Sequence, residues 1–344
     1  MKILLVQTSF LGDVILSTPL IENLKILYPE AELWVMATPE GCEILKFDPE
    51  ISGLLPFDKH GKERGIKSIF SVAKKIKKHN FAAVYSLHRS FRTALVLYLS
   101  GIRKRIAFKN AKLCFLYTQR VRRAQGEHEV LRNLSLLGEE PGYSELSSEL
   151  RLVAPPREQL AEPFRRVVSN LRDYYVLVPG SAWATKRWHW QYYRKTADIL
   201  LSEGKNVVLA GSREEVELAD RICANNSIIN LVGKTSLGEL LFLIKNATIV
   251  LCNDSMALHI ASSFKVQTVA VFCSTVTEFG FGPWKSPAVV LGKDGLPCRP
   301  CGRHGHDSCP NKTEACMKGV SVQEVIRAVS FLRSKKELAI NAVD

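Results

Sequence analysis

The sequence has no apolar run long enough to cross a bilayer. Its best stretch, around Thr93–Ile102, falls well short of the roughly 20 residues that a spanning helix needs. The start, Met1-Lys2-Ile3-Leu4-Leu5-Val6, is too short for a secretory leader and runs into Gly12-Asp13 without a small-residue cleavage site. It reads as a buried first strand, which places the protein in the cytoplasm. A Gly-x-Gly-x-x-Gly fingerprint is missing, which argues against a standard dinucleotide site and against an NAD-dependent oxidoreductase. Signatures of nucleic-acid-binding modules are missing too, so nucleic acid is set aside as a partner. There is no internal repeat and no low-complexity tract. Acidic residues are scarce over Lys59–Arg132, where 19 Lys or Arg face three acids (Glu63, Glu127 and Glu129). That segment alone carries more positive charge than the net +13 of the whole chain. A solubilising face explains any single lysine. Half a domain so biased implies an anionic partner, either an anionic substrate or an anionic membrane surface.

What is present is an ordinary globular balance, 46% apolar and 24% charged residues over a length of 344 that favours two domains. Short apolar runs alternate with helical spacing, the pattern of parallel sheets covered by helices. In the first half the spacing predicts strands at Ile3–Gln7, Leu33–Ala37, Gly53–Phe57, Ala82–Leu87 and Arg105–Phe108, with helices over Asp13–Leu27, Gly65–Lys78 and Phe91–Gly101. A stretch rich in Glu, Ser and Pro, Gly138–Arg157, reads as a linker. The pattern then restarts, with strands at Tyr175–Val178, Asn206–Ala210, Ile228–Leu231, Thr248–Cys252 and Thr268–Phe272. Helices are expected over Gln191–Glu203, Glu214–Asn225, Leu237–Ile244, Met256–Phe264 and Ser321–Arg333. The expected division is 1–157, 158–320 and a terminal helix and tail over 321–344. Two doubly wound halves would face each other across a cleft, with ligands beyond the carboxyl ends of the strands.

Three loops, each directly after an expected strand, gather the residue types of a transfer site. Thr8-Ser9-Phe10-Leu11-Gly12-Asp13 offers a carboxylate either as the cap of a helix start or as a general base at the cleft. Pro179-Gly180-Ser181-Ala182-Trp183-Ala184-Thr185-Lys186-Arg187-Trp188 combines small residues, a hydroxyl and two cations, which suits a diphosphate better than an exposed basic turn would. In Asn253-Asp254-Ser255-Met256-Ala257-Leu258-His259, Asp254 or Ser255 is expected to cap the next helix. His259 alone would more often be a structural histidine than a ligand.

Together with Ser90-Phe91-Arg92-Thr93-Ala94, these loops resemble the ADP-heptose:lipopolysaccharide heptosyltransferases, and most nearly the heptosyltransferase II branch. No single motif is specific; their order and spacing from Met1 to about Trp284 is. The resemblance implies a GT-B fold of two Rossmann-like domains, with the acceptor held mainly by the first and ADP-heptose by the second. It implies inverting transfer of heptose to the lipopolysaccharide inner core, with Asp13 as base and Lys186 stabilising departing ADP. On the same basis Ser9, Gly12, Ser90 and Arg92 fall to the acceptor side, and Gly180, Ser181, Thr185, Arg187, Asp254, Ser255 and His259 to the donor side. A ribose-contacting acid falls within Gly211-Ser212-Arg213-Glu214-Glu215, Glu214 and Glu215 being equally placed. No cofactor is required on this reading, and the anionic lipopolysaccharide precursor would be met at the inner face of the cytoplasmic membrane. The chain departs from the family in having Met256 where glycine usually follows Asp-Ser, which leaves open another nucleotide sugar, or a non-catalytic sugar-nucleotide or lipid A-binding role.

Five of the nine cysteines are scattered in apolar surroundings and suit core packing. Cys298, Cys301, Cys309 and Cys316 cluster beside His304 and His306. Cys298-Arg299-Pro300-Cys301 has metal-ligand spacing, but six residues separate Cys309 from Cys316, where a zinc site wants a second close pair. Free or redox-sensitive thiols are therefore preferred to a structural metal.

Overall fold

A computed structural model describes residues 1–59, 61, 63–138, 140, 146–224 and 227–341. The chain divides into two compact units between Val153 and Ala154. The first unit holds six parallel strands: β1 (Lys2–Val6), β2 (Glu32–Ala37), β3 (Gly53–Pro56), β4 (Ala83–Ser86), β5 (Lys104–Phe108) and β6 (Gln119–Val121), in the order β3-β2-β1-β4-β5-β6. The second holds β7 (Tyr174–Val178), β8 (Asn206–Leu209), β9 (Ile229–Asn230), β10 (Ile249–Asn253), β11 (Gln267–Val271) and β12 (Ala288–Leu291), in the order β12-β11-β10-β7-β8-β9. Each order is the doubly wound Rossmann arrangement, so each unit has one switch point, between β1 and β4 and between β7 and β10. Each unit is thus an α/β, Rossmann-like domain, as expected. All ten expected strands are found; the edge strands β6 and β12 were not expected. Gln119-Arg120-Val121 carries one apolar residue and gives no run to detect.

The helix expected over Asp13–Leu27 is two helices, Leu11–Leu16 and Pro19–Leu27. Pro19 has no N–H to donate, and its ring would clash with the carbonyl one turn back, so the first helix must end before it. Ser17 and Thr18 close the last turn, giving both their amides and their hydroxyls to the carbonyls of Val14 and Ile15, the hydroxyls at 2.7 Å each. The expected linker begins inside the first unit, although part of it lies outside the described residues. Arg151 forks onto Asp48 with two 2.8 Å bonds, and Ser147 exchanges backbone bonds with the side chain of Asn23. These ties explain why the division falls at Val153.

Asn225, at the end of the expected helix Glu214–Asn225, lies outside the described residues, as do residues 342–344 of the tail; the described helix is Val322–Asn341 rather than Ser321–Arg333. It does not stand apart. Val322, Val325, Val329 and Leu332 enter the core of the second unit with Val269 and Val271 of β11. Among the described residues no helix is long and apolar enough to cross a membrane.

Candidate active site

In the first unit, the loops after β1 and β4 meet at the switch point and line a cavity of about 220 Å³, with Ser9, Asp13, His88, Ser90, Arg123 and Glu129 in its wall. Asp13 is the third residue of the helix Leu11–Leu16 and accepts the backbone N–H of Phe10, the residue before that helix. This satisfies one amide that the helix start would otherwise leave bare. Burial pushes the carboxyl up to about 6, and the negative charge of Glu129 adds to the rise. The Phe10 amide and the cations Arg123 and Arg89 pull the other way. Asp13 is therefore a cap and also a carboxylate poised near neutrality, a suitable strength for a general base.

Glu129 is buried and held by Arg123 at 2.5 and 2.6 Å, with Arg132 at 3.4 Å. Neither Glu129 nor Arg123 was picked out from the sequence. The signal existed, since Glu129 is one of the few acids in a basic segment. His88 was missed as well. Its Nδ1 lies 2.7 Å from the Thr93 hydroxyl and 3.0 Å from that of Thr8, and Lys59 Nζ lies 3.2 Å from its Nε2. Burial holds the Lys59 ammonium below its ordinary value, while Asp13 acts to raise it. Arg92, expected on the acceptor side, is bonded within its own unit. Its guanidinium is spent on the carbonyls of Lys59, Glu63 and Gly65 and on the Ser68 hydroxyl, so it pins the loop before the helix Lys67–Lys77. Ser90 accepts the Thr93 amide at 3.2 Å and caps the helix Phe91–Leu99, and Gly12 lies in the first turn of Leu11–Leu16.

In the second unit, the loop after β7 brings Lys186 to the end of β10. Lys186 Nζ lies 2.7 Å from Asp254 Oδ2, and the Thr275 hydroxyl donates to the same oxygen at 2.6 Å. Neither Asp254 nor Ser255 caps the helix Met256–Ser263, contrary to expectation. The ammonium and the hydroxyl draw the Asp254 carboxylate away, and Ser255 Oγ is buried with no partner among the described residues. The helix start is thus left with uncapped amides at the switch point, a setting that favours an anion. Ser181 donates to the Asp254 carbonyl at 3.1 Å and receives Arg187 on its own carbonyl at 2.8 and 3.0 Å. His259 is buried inside the helix, and Trp188 is buried with its indole N–H on the Val320 carbonyl.

The structure separates Glu214 from Glu215. Glu214 is exposed, whereas Glu215 accepts the Ser212 amide at 2.8 Å and lies over the loop after β7. A Cβ on Gly180 would stand 1.5 Å from Glu215 Oε1, so that position admits only glycine while Glu215 keeps its place.

The cysteine-rich segment braces this site. Thr185 donates its amide to the His306 carbonyl at 3.1 Å and accepts the His306 amide on its hydroxyl at 2.8 Å. Arg299 reaches the carbonyls of Phe272, Cys273 and Thr275. All nine cysteines are free of disulfides. Among the described residues no group of three His, Cys, Asp or Glu is arranged to hold a metal ion.

A model of glycosyltransferase family 9 (heptosyltransferase) matches residues 69–311. Lipopolysaccharide heptosyltransferase 3 of Escherichia coli K12 is 29% identical over 290 residues, covering 79% of this chain and 82% of that protein. Two solved structures share the fold. A family 9 glycosyl transferase from Veillonella parvula superposes with a TM-score of 0.84 at 22% identity, covering 96% of each chain. The E. coli ADP-heptose lipopolysaccharide heptosyltransferase II superposes with a TM-score of 0.79 at 24% identity, covering 98% of this chain and all of that one.

Proposed function

The chain belongs to glycosyltransferase family 9, and from that premise we propose that it transfers heptose from ADP-heptose to a hydroxyl of the lipopolysaccharide inner core, with inversion at the anomeric carbon. The observation that carries this reading is Asp13, a carboxylate with its pKa raised to about 6 in a polar cavity at the switch point of the first unit. A sugar hydroxyl attacks only as its proton leaves. Asp13 takes that proton, the acceptor oxygen bonds to the anomeric carbon, and the bond from that carbon to the diphosphate breaks, its electron pair departing with ADP. Charge then grows on the diphosphate. Lys186, the exposed amides of the helix Met256–Ser263 and the Ser255 hydroxyl stabilise it. Asp254 and Thr275 hold Lys186 in place until the diphosphate competes for its ammonium. Glu215, rather than Glu214, is placed to meet the ribose, because it lies against the same loop as Lys186. Gly180, Ser181, Thr185 and Arg187 shape that loop, and His259 supports the helix behind it. Ser9 and Ser90 form part of the wall that the acceptor meets, and Gly12 lies beside Asp13 in the helix turn at its edge. The acceptor is an anionic, lipid-anchored precursor reached at the inner face of the cytoplasmic membrane.

The purified chain, given ADP-heptose and truncated lipopolysaccharide precursors with and without a first heptose, is expected to release ADP and add one heptose to the mass of one of them. Parallel reactions with UDP- and GDP-sugars address the donor, since Met256 is half-buried at the start of the helix that would face the diphosphate. Transfer from another nucleotide sugar alone would overturn the donor assignment, and no transfer from any would overturn the activity.

A further inference from the structure

Three elements of the first unit cover one face of its sheet. Ile69, Val72 and Ile76 from Lys67–Lys77, Ala94 and Leu97 from Phe91–Leu99, and Leu116 and Tyr117 at the short turn Cys114–Leu116 all pack on Leu4 and Val6 of β1 and their neighbours. Because they share an inner face, their opposite sides share an outer one. That outer side is apolar where it meets water. Ile66 is 78% exposed, Phe115 70%, Phe70 62%, Phe91 53%, Tyr98 50% and Leu99 41%. These are six of the twelve large hydrophobic side chains exposed among the described residues, drawn from about 50 consecutive positions. Single exposed apolar residues need no explanation, but a concentration on one layer does.

Charge says what this layer meets. Lys67, Lys74, Lys75, Lys77 and Lys78 are exposed on the same helix as Phe70 and at its end, and Arg103 and Lys112 are exposed on the neighbouring loops. Not one Asp or Glu occurs from Arg64 to Gly126. Among the described residues none of these cations is paired with a carboxylate. A protein-binding surface is typically depleted of lysine at its core, and a solvated face would not carry Ile and Phe. Exposed aromatic and aliphatic side chains set among unpaired lysines fit the headgroup region of a negatively charged bilayer, where rings enter the interface and ammonium groups stay at the phosphates.

We propose that the outer face of this layer docks on an anionic lipid bilayer, with Ile66, Phe70 and Phe91 entering the headgroup region and the Lys67–Lys78 lysines resting on lipid phosphates. This deepens the membrane contact proposed above and gives it a specific surface. It also places the cavity at Asp13 in the domain that touches the lipid, as a lipid-anchored acceptor requires.

The test is flotation of the full-length protein with vesicles of phosphatidylethanolamine containing phosphatidylglycerol, against vesicles of phosphatidylcholine alone. Binding to the anionic vesicles only is expected. The double variant Ile66→Ser/Phe70→Ser should lose roughly tenfold in vesicle affinity even at low salt, while Lys74→Gln/Lys77→Gln should lose a similar factor and show a shallower salt dependence. A Phe70→Trp variant should show a blue shift with anionic vesicles and quenching by brominated lipid. Both serine positions are already exposed, so an unchanged melting temperature separates loss of binding from loss of fold. Transfer to a detergent-free, water-soluble acceptor fragment should be unaffected in the serine variant, which keeps this result distinct from failure of the transfer reading. No binding to anionic vesicles, or binding unchanged in the serine variant, would overturn the proposal. So would a dimer in solution that the serine substitutions dissolve, which would assign the face to a second copy of the chain.

Discussion

Lys186 Nζ stands 2.7 Å from Asp254 Oδ2, joining the loop after β7 to the end of β10 with both side chains largely buried. A buried ion pair adds little net stability, but removing one partner leaves the other charge uncompensated. Lys186→Ala should therefore act in two ways, lowering the melting temperature and weakening ADP binding by about 1.5–3 kcal/mol. A double-mutant cycle with Asp254→Asn tells them apart. If Lys186 contacts the diphosphate, its removal still weakens ADP binding in the Asp254→Asn background by calorimetry. Full recovery of affinity in the double variant would mean that Lys186 serves only Asp254.

Glu215 and Gly180 make a second tight pair. In Gly180→Ala the new methyl would meet the Glu215 carboxylate at 1.5 Å, and that carboxylate is also tied to the Ser212 amide. The side chain must swing out, losing its bond to the amide, at a cost of about 1 kcal/mol. Gly180→Ala should lower both the melting temperature and ADP affinity. Adding Glu215→Ala should restore much of the stability, since the clash is gone, but not the affinity. Recovery of both would remove Glu215 from the nucleotide site.

Arg92 has four acceptors around its guanidinium, all in or beside the loop Lys59–Ser68. Arg92→Ala should cost on the order of 1–3 kcal/mol in urea unfolding, because it strands carbonyls that the arginine now satisfies. Arg103→Ala, at an exposed position, should change stability by less than about 0.5 kcal/mol. Equal effects would show that Arg92 is not the staple that the geometry makes it.

The contrast at Arg92 shows where the sequence was legible. Strands buried on both faces are continuous apolar runs, so β1, β4, β7 and β10 could be read directly, and with them the loops that follow. The element starting at Asp13 was misjudged because its apolar spacing continues through Pro19, where the backbone cannot. Gln119–Val121 at the sheet edge has no pattern to read. Asp13, Lys186 and Asp254 could be found because each lies in the segment directly after a strand. Glu129, His88 and Thr275 could not be joined to them, because those partnerships are made by the winding of the sheet rather than by spacing along the chain. The same holds for the bond between Thr185 and His306, 121 positions apart.

Asp13 brings catalysis and stability into opposition, and that makes its role measurable. Its carboxyl has a pKa near its ordinary value of 3.8 in the unfolded chain and about 6 in the folded one. A raised carboxylate pKa means that the fold favours the proton. Below about pH 4 the group is protonated in both states and contributes no penalty. As the pH rises from about 4 to about 6 the unfolded chain ionises while the folded one keeps its proton, and stability is lost, up to about 3 kcal/mol for a shift of this size and less where water reaches the group. Asparagine has nearly the same shape, can still accept the Phe10 amide and never ionises. Asp13→Asn should therefore melt at a higher temperature than wild type at pH 8, with the difference vanishing towards pH 4. Turnover should fall roughly 10²–10⁴-fold, with ADP affinity unchanged, because only the proton acceptor is removed. In the wild type, turnover should decline as the pH falls below about 6, and Glu129→Gln, which removes the neighbouring negative charge, should move that decline to lower pH. If Asp13 were only a cap, Asp13→Asn would turn over at nearly the wild-type rate with saturating substrates, and its pH profile would match that of the wild type. A stabilised variant that has lost turnover is the result that a base held in a desolvated site requires.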